Sequence, residues 1–291
     1  MKLSKRNLLL MAGLFLSLTP GLNLGLTPAY GSTEPAGRFY QQPNALQLQQ
    51  AEQIFNRLFA GETGDKLAAS ARALGFSWKE TETEVRLLDK GKRGWGDYYF
   101  SKQPLTGVAL MAPHRYHDKH TGTIARRLFR AQGFSSLALN SLPRVTPIED
   151  NRALPADLAR LTDSVHFIYS RTFALRYPTG QLVQLHGFSS FKRRTKPAQQ
   201  TSMILSTGGS STSAYVLNVQ RCFGENGWHS LRYPQQVSEL GATRNSIGAL
   251  LRSLGHTGFT HIEMNLQTRQ ALLDDSSHLL SLAGCLIEAE Q

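Results

Sequence analysis

Short apolar runs that end on or carry a polar side chain recur along the chain, and they constrain its fold more than any other feature. The runs lie at 107–112, 136–139, 182–185, 203–205 and 259–264. Each is bounded by turn residues and has the length and composition of a strand buried on both faces. Segments with helical spacing separate them. The pattern predicts an α/β fold, with a mostly parallel or mixed central sheet and helices on both faces.

The rest of the chain is assigned from periodicity. Apolar residues at helical spacing predict helices at 46–59, 66–74, 123–131, 157–171, 213–223 and 245–254. Alternation at 78–88 predicts an exposed strand, and 94–100 a second strand that pairs with it. Because no internal repeat or interdomain linker is evident, we predict a single domain over 46–291.

The N-terminus has the pattern of a secretory signal peptide. Three cations precede the apolar stretch 8–18, and Pro20 and the small-residue site 29–31 follow it. An uncleaved anchor is the alternative, but the apolar stretch is shorter than the roughly 20 residues that span a bilayer. We therefore predict a signal peptide at 1–31, a flexible leader at 32–45, and a periplasmic or secreted protein without a stable membrane anchor after cleavage.

Charge and cysteine content bear on partners and compartment. The formal charge is +11, and removal of the three N-terminal cations leaves +8. A basic surface attracts nucleic acid, anionic lipid or an acidic polymer, and outside the cytoplasm a wall polymer or acidic peptide is the more available partner. Cys222 and Cys285 are the only cysteines, and either one disulfide or two buried thiols is consistent with the sequence.

The loop after the 107–112 run concentrates metal-binding side chains. His114 and Asp118 are four residues apart, and His186 ends another buried run. Two imidazoles and one carboxylate form a catalytic zinc site with an open position for water. His117 is an alternative to Asp118, because a His-x-x-His loop also binds zinc, and the residue not used would then be an outer hydrogen-bond partner.

Glu263 is an unusual residue for a buried strand. Alternation in the 259–264 run places His261, Glu263 and Asn265 on one face. A buried carboxylate is costly unless it is paired or functional. Glu263 therefore either forms an ion pair, for example with Arg269, or acts as the general base for a metal-activated water.

Together these motifs resemble the zinc carboxypeptidase superfamily. The segments are APHRYHDKHTGTIA, ALNSLPR, VQLHGF and HIEMN, and in order they cover roughly residues 105–270. They are most similar to the amidohydrolase branch, which includes poly-gamma-glutamate hydrolases and N-formylglutamate amidohydrolases. Carboxypeptidases proper use His-x-x-Glu, whereas this chain has His117 at that position and Asp118 one residue later. The resemblance implies a phosphorylase/hydrolase-like fold.

The resemblance also implies roles for individual residues. His114, Asp118 and His186 would hold Zn²⁺, and Glu263 would be the catalytic base. Asn140 and Arg144 are similar to the substrate-binding Asn-Arg pair of the superfamily, although three residues separate them here, and Arg144 would also assist catalysis. Arg144 has an alternative as a surface partner of Asp150, since a guanidinium binds any carboxylate bidentately.

These observations predict an exported zinc-dependent hydrolase of amide or peptide bonds. Its expected substrates are peptides, cell-wall peptide or a gamma-linked acidic polymer, and the cationic segment 191–196 beside His186 would capture acidic chains, unless it is only a solvated surface. One alternative is a wall-polymer-binding protein of the same fold without turnover. Another is an extracytoplasmic nucleic-acid binder, which we do not expect because few aromatic residues accompany the basic segment.

Overall fold

The computed structural model describes residues 39–131 and 133–290, which belong to one compact unit. The predicted signal peptide and positions 32–38 of the predicted leader lie outside the described residues. None of the helices in the described part of the chain combines the length and hydrophobicity that a bilayer crossing requires.

Strands and helices alternate through most of this unit. The strands are β1 (Ser77–Glu80), β2 (Glu84–Leu88), β3 (Asp97–Ser101), β4 (Val108–Ala112), β5 (Ser136–Leu139), β6 (Pro147–Ile148), β7 (Asn151–Pro155), β8 (Gln181–Gly187), β9 (Met203–Ser206), β10 (Ser230–Arg232) and β11 (Phe259–Met264). The helices are α1 (Ala45–Phe59), α2 (Asp65–Ala73), α3 (Thr121–Arg130), α4 (Val165–Arg176), α5 (Lys196–Gln200), α6 (Ala214–Glu225), α7 (Ser246–Ser253), α8 (Leu266–Asp274) and α9 (Ser276–Glu288), with a 3-10 turn at Ser190–Lys192.

One mixed sheet organises the fold, in the order β1-β2-β3-β5-β4-β8-β11-β9-β10. The central strands β5, β4, β8 and β11 are mutually parallel, β10 is parallel to β9, and the remaining neighbours are antiparallel. All five predicted apolar runs are strands of this sheet. The carboxyl ends of the central strands therefore lie along a single edge, which is where α/β sheets place their ligands.

Alternation along β4 shows why helices cover both faces of the sheet. Val108, Leu110 and Ala112 pack into a core with side chains of α3, α6, α8 and α9. Ala109 and Met111 point the other way, into a core with α1, α2, α4 and α7. Because both faces of the central strands are apolar, the sheet is stable only when each face is covered. The predicted fold class is confirmed.

Polar caps set the beginnings of several helices. Asn44 forms a reciprocal pair with Gln47 at the start of α1, and its side chain accepts from the Gln47 main-chain N–H at 2.9 Å. Ser213 caps α6, and Asn245 caps α7 by accepting from the N–H groups of Ile247 and Gly248. Each cap satisfies main-chain donors that a helix leaves unpaired in its first turn.

Two of the predicted elements have different boundaries. The stretch at 78–88 is a hairpin, with β1 and β2 paired through Lys79 and Arg86, because Thr81 Oγ1 accepts from the Glu84 N–H and closes a turn. The helix predicted at 157–171 begins only after Ser164, whose hydroxyl accepts from the Phe167 N–H. The residues before Ser164 form turns, and this segment places Asp157 beside His114, just beyond the carboxyl end of β4.

Part of the predicted leader, residues 39–45, lies among the described residues and makes contacts with the folded unit. Tyr40 is buried, donates its main-chain N–H to Pro147 O at 2.9 Å and pairs with Ile148 as an isolated bridge. Gln41 N–H donates to Arg93 O at 2.9 Å. Burial of the Tyr40 ring contributes favourable free energy that offsets part of the backbone entropy lost by this segment.

A disulfide joins Cys222 of α6 to Cys285 of α9 across a sequence separation of 63 residues. The sequence was consistent with either a bridge or two thiols, and the structure contains the bridge. It connects two helices that pack on the same face of the sheet. Disulfides persist mainly in oxidising compartments, so the bridge is compatible with an extracytoplasmic location.

Because His166 of α4 is buried, we expect the stability of the folded protein to depend on pH. It is completely buried beside Tyr98 and Tyr169. Burial, with a smaller contribution from the charge of His114, lowers the pKa of His166 to about 3. The folded protein therefore keeps this ring neutral where the unfolded chain, with a pKa of about 6.5, protonates it. Its stabilising contribution is complete above about pH 6.5 and declines as the pH falls towards 3.

We expect the free energy of unfolding to fall by about 3 kcal/mol from this residue alone between pH 7 and pH 4.5, two units below the unfolded pKa at about 1.4 kcal/mol each. His166→Leu should remove that part of the decline, and His278→Leu, at a half-buried position of α9, should retain it. Urea midpoints of both variants at the two pH values measure the difference. An equal decline in all three proteins would contradict the assignment.

Candidate active site

The predicted site residues come from strands that are neighbours in the sheet. β8 lies between β4 and β11 and is parallel to both. His114 follows β4 by two residues, His186 is the penultimate residue of β8, and Glu263 is the penultimate residue of β11, directly opposite His186 in the register. Parallel pairing therefore brings side chains from three distant segments to one edge of the sheet.

A tight turn places Asp118 beside His114. The carbonyl of His114 accepts from the main-chain N–H groups of both His117 and Asp118 at 2.8 Å. The Asp118 carbonyl in turn accepts from the N–H and the hydroxyl of Thr121, where α3 begins. The turn folds the Asp118 carboxylate back over the end of β4.

His114, Asp118 and His186 form a compact group of donor atoms. Asp118 Oδ2 lies 3.6 Å from His114 Nδ1 and 3.1 Å from His186 Nδ1. One ligand atom from each residue lies within 4.8 Å of the other two. Ligands at about 2.1 Å from a tetrahedral ion lie about 3.4 Å apart, so the observed separations suit a common metal ion with small adjustments.

The second nitrogen of each imidazole has a partner in the protein. His114 Nε2 lies 2.7 Å from Asp157 Oδ1, and His186 Nε2 lies 3.3 Å from Gln184 Oε1. Oxygen acceptors at both Nε2 atoms favour a proton there, and a bound metal ion would then take the place of the Nδ1 protons that face Asp118. Outer partners of this kind accompany most histidine ligands. The donor set and its surroundings therefore fit a divalent metal such as Zn²⁺.

The electrostatics of the group follow from burial and mutual contact. Burial opposes ionisation of Asp118, but hydrogen bonds with His114 and His186 outweigh it and hold the pKa of Asp118 well below its usual value. Burial lowers the pKa of His186. Burial also tends to lower the pKa of His114. Hydrogen bonds with Asp118 and Asp157 outweigh burial there, so the pKa of His114 is raised. An ionised carboxylate between two imidazoles provides the negative charge that attracts a cation.

The structure brings Asp118, rather than His117, into the group. His117 is exposed and lies on the wall of the surrounding cavity. Asn140 also lies elsewhere. It is fully buried, its Oδ1 accepts from the Arg115 N–H at 3.0 Å, and its Nδ2 donates to Leu142 O at 2.6 Å. Asn140 therefore fixes the backbone of the His114 loop, and its amide is not directed at the cavity.

Glu263 lacks the partner that a structural role requires. Among the described residues it forms no salt bridge with Arg269, and its Oε2 is buried without any hydrogen-bond partner. Burial, followed by the charge of Asp118, raises the pKa of Glu263 to about 8. Its Oε1 lies 3.8 Å from His261 Nε2. A buried carboxylate with raised proton affinity in a cavity is typical of a group that transfers protons.

His261 adds a third imidazole that the sequence placed on the same face as Glu263. Its ring centroid is 4.4 Å from that of His186, and the two planes are inclined by 31°. Its Nδ1 is buried without a hydrogen-bond partner, and burial holds the pKa of His261 well below its usual value. His186, His261 and Glu263 thus form a second overlapping group of possible ligand atoms.

Two arginines have different roles at this edge. Arg144 lies on the cavity wall with its Nη1 3.3 Å from His114 Nδ1, and among the described residues it forms no ion pair with Asp150. Arg269 is almost fully buried and donates to the carbonyls of Lys119 and Phe188. Arg269 therefore ties the His114 loop to the segment after β8, while Arg144 is available to a ligand.

These residues line a cavity of about 1120 Å³. The wall of this cavity carries seven cationic side chains and three carboxylates, and two of the carboxylates belong to the donor groups described above. The cations are Lys119, Arg144, Arg160, Lys192, Arg193, Arg244 and Arg269, and the carboxylates are Asp118, Asp157 and Glu263. The excess of positive charge around the anionic centre favours a ligand that carries carboxylates.

Some contributing residues had no sequence prediction. Gln184 precedes His186 by two residues on the same face of β8, and Asn245 Nδ2 donates to its Oε1 at 2.7 Å. Because side chains alternate between the two faces of a strand, the position of Gln184 two residues before His186 could have identified it as a neighbour of the site. Asp157 reaches His114 from an irregular segment, and no local pattern in the sequence signals it.

No family model and no curated protein matches the sequence. Several solved structures are similar in fold, including the following two. N-formylglutamate amidohydrolase from Ralstonia eutropha JMP134 has 13% identity over 65% of this chain and 94% of its own length, with a TM-score of 0.45. A bacteriophage poly-gamma-glutamate hydrolase has 13% identity over 68% of this chain and 88% of its own, with a TM-score of 0.43. At these identities the likeness concerns the fold alone.

Proposed function

We propose that this protein is an exported, zinc-dependent hydrolase of amide bonds that acts on peptides, cell-wall peptide or gamma-linked acidic polymers. The observation that supports this most directly is the convergence of His114, Asp118 and His186 beside the buried, unpartnered carboxylate of Glu263. Two imidazoles and a carboxylate leave a tetrahedral ion with one open position.

The ion would be held by His114 Nδ1, His186 Nδ1 and Asp118 Oδ2. When bound, Zn²⁺ supplies Lewis acidity that polarises a carbonyl oxygen and makes water a better nucleophile near neutral pH. Asp157 and Gln184 keep the two imidazoles in the required orientation and tautomer through their Nε2 atoms.

Glu263 performs the proton transfers in this proposal. A cation bound beside Glu263 would favour its ionised form. The unpartnered Oε2 then accepts a proton from the attacking water, and the carboxyl group returns that proton to the departing amine nitrogen. Arg144, on the wall beside His114, binds a carboxylate of the substrate or the developing oxyanion through its guanidinium donors. The surrounding wall orients an acidic substrate and excludes part of the solvent.

Export is proposed on two grounds. The N-terminal sequence has the pattern of a signal peptide, and the disulfide between Cys222 and Cys285 is of a kind that persists in oxidising compartments. The cationic wall supports an acidic chain as substrate, and the scarcity of aromatic residues beside the basic segment disfavours nucleic acid.

Metal removal tests the proposed activity. After treatment with a chelator and dialysis, we expect the purified chain to lose hydrolysis of gamma-glutamyl and alpha-peptide amides, and Zn²⁺, but not Mg²⁺, should restore it, because imidazole ligands suit zinc and magnesium prefers oxygen. Metal content per chain is measured in parallel. Unchanged hydrolysis by metal-free protein would refute the zinc mechanism, and polymer binding without any hydrolysis would favour the non-catalytic alternative.

A further inference from the structure

A second, smaller cavity adjoins the candidate active site. Its volume is about 420 Å³. It shares much of its wall with the larger cavity, namely Lys192, Arg193, Leu240, Gly241, Thr243 and Arg244. A ligand that occupies the active site can therefore extend into the smaller cavity along a common wall.

The smaller cavity is strongly cationic. Lys192, Arg193, Arg194 and Arg244 line it, and Glu239 is the single carboxylate among its lining residues. A concave wall with one sign of charge concentrates counter-ions. Glu239 is the lining residue that could neutralise part of this positive charge.

The Glu239 carboxylate is used mainly to hold the backbone of the cationic loop. It accepts from the main-chain N–H of Arg194 at 3.0 Å, and from the N–H and the hydroxyl of Thr195 at 2.9 Å. Its side-chain ion pair with Arg193 spans 3.7 Å. Glu239 therefore fixes the loop in place and offsets at most one of the guanidinium groups.

The other three cations have no such partner. The side chains of Lys192, Arg194 and Arg244 are exposed, and within the described part of the chain none of them forms an ion pair. Exposed surface cations are ordinary when isolated, but these three converge on one concavity next to a proposed catalytic centre.

A fully exposed aromatic ring lies next to these cations in the chain. Phe191 is 100% exposed, lies in the 3-10 turn after β8 and lines the larger cavity beside Lys192. An apolar face at that position offers a contact to the methylene or amide segment of a chain that runs from the active site towards the smaller cavity.

We propose that the smaller cavity is a second substrate subsite, which binds a carboxylate remote from the amide bond that is cleaved. This inference rests on the proposed hydrolase function and narrows the substrate class to extended chains that carry carboxylates along their length. Arg194 and Arg244 bind the remote carboxylate through paired donors, and Lys192 adds a point charge. Short substrates with carboxylates only near the cleaved bond use the larger cavity alone.

Binding by a variant that cannot turn over its ligand tests the subsite separately from catalysis. In a Glu263→Gln background, we compare Lys192→Gln/Arg244→Gln with Arg130→Gln/Arg221→Gln, which removes the same charge at exposed positions away from both cavities. The probes are a fluorescently labelled long γ-linked oligoglutamate and the corresponding dimer. Arg194→Gln provides an independent single variant, and thermal unfolding verifies that every variant is folded.

We expect the cavity double variant to bind the long oligomer about tenfold more weakly, as loss of a charge-assisted contact predicts. The dimer should change by less than about twofold with Arg194→Gln, because Arg194 lines the smaller cavity but not the larger one. Both probes should change equally little with the control variant, since screened distant charges contribute little. Arg194→Gln should show a smaller loss in the same direction.

Three outcomes would overturn the subsite. The first is equal weakening of binding by the cavity and control variants. The second is equal affinity for an uncharged oligoglutamine of the same length. The third is displacement of the oligomer by inorganic phosphate but not by monomeric glutamate. If the long oligomer binds as expected but no variant with Glu263 hydrolyses any amide, the subsite stands and the proposed catalysis fails.

Discussion

Glu263→Gln is expected to reduce kcat for amide hydrolysis by about 10³-fold, within the range of about 10² to 10⁴ that a positioned general base contributes. Gln has nearly the same shape but cannot accept the proton of the attacking water. Since Glu263 Oε2 has no hydrogen-bond partner among the described residues, the substitution removes no native contact of that atom. Folding and substrate affinity should therefore be retained.

Glu84→Gln is a matched control for this substitution. Both carboxylates have 9% of their surface exposed, but Glu84 lies on β2, contacts Arg86 and does not line the cavity. Its replacement should leave kcat within about twofold of the original value, because Glu84 lies outside the cavity that holds the candidate site. Steady-state kinetics on one γ-glutamyl amide compare the variants. Equal activity of Glu263→Gln and the unmodified protein would exclude Glu263 as the base.

His186→Ala is expected to abolish stoichiometric zinc binding. Even the loss of an outer hydrogen-bond partner lowers metal affinity by about 10- to 100-fold, so removal of a direct ligand should exceed that loss. Asp157→Asn, which alters only the outer partner of His114, should fall between His186→Ala and the unmodified protein. Metal content after dialysis against a defined free zinc concentration measures all three.

His117→Ala separates the two candidate ligand sets in the same experiment. His117 is three residues from His114 and lines the cavity, but it lies outside the group formed by His114, Asp118 and His186. We therefore expect His117→Ala to retain its zinc and Asp118→Ala to lose it. The reverse result would show that the loop rearranges on binding the ion and that His-x-x-His is the functional motif.

The central architecture was predictable from the sequence because its signal is local. A strand buried on both faces must be apolar throughout, so β4, β8 and β11 stood out, and the polar residues at their ends followed from the parallel arrangement. The peripheral elements were less visible. The hairpin of β1 and β2 was read as one strand because its turn, closed by Thr81, interrupts an alternation that continues on both sides.

The site was predictable to the extent that it depends on strand ends. His114, His186 and Glu263 occupy such positions, and the turn that brings Asp118 back to His114 spans four residues. Asp157 lies in an irregular segment, and its approach to His114 depends on packing between distant parts of the chain. The motif that contains Asn140 suggested a contact with substrate. In the structure, its amide instead forms hydrogen bonds with the backbone of Arg115 and Leu142 and supports the His114 loop.

The parallel pairing of β4 with β8 also links the proposed metal binding to folding. Asp118 and His186 are 68 positions apart in the chain, so an unfolded polypeptide presents them at low effective concentration and binds an ion through them weakly. A ligand that binds only the folded state stabilises it by about 2.7 kcal/mol at a concentration a hundred times its Kd. In the proposed zinc enzyme, the free zinc level around the protein would therefore affect its resistance to proteases as well as its catalytic rate.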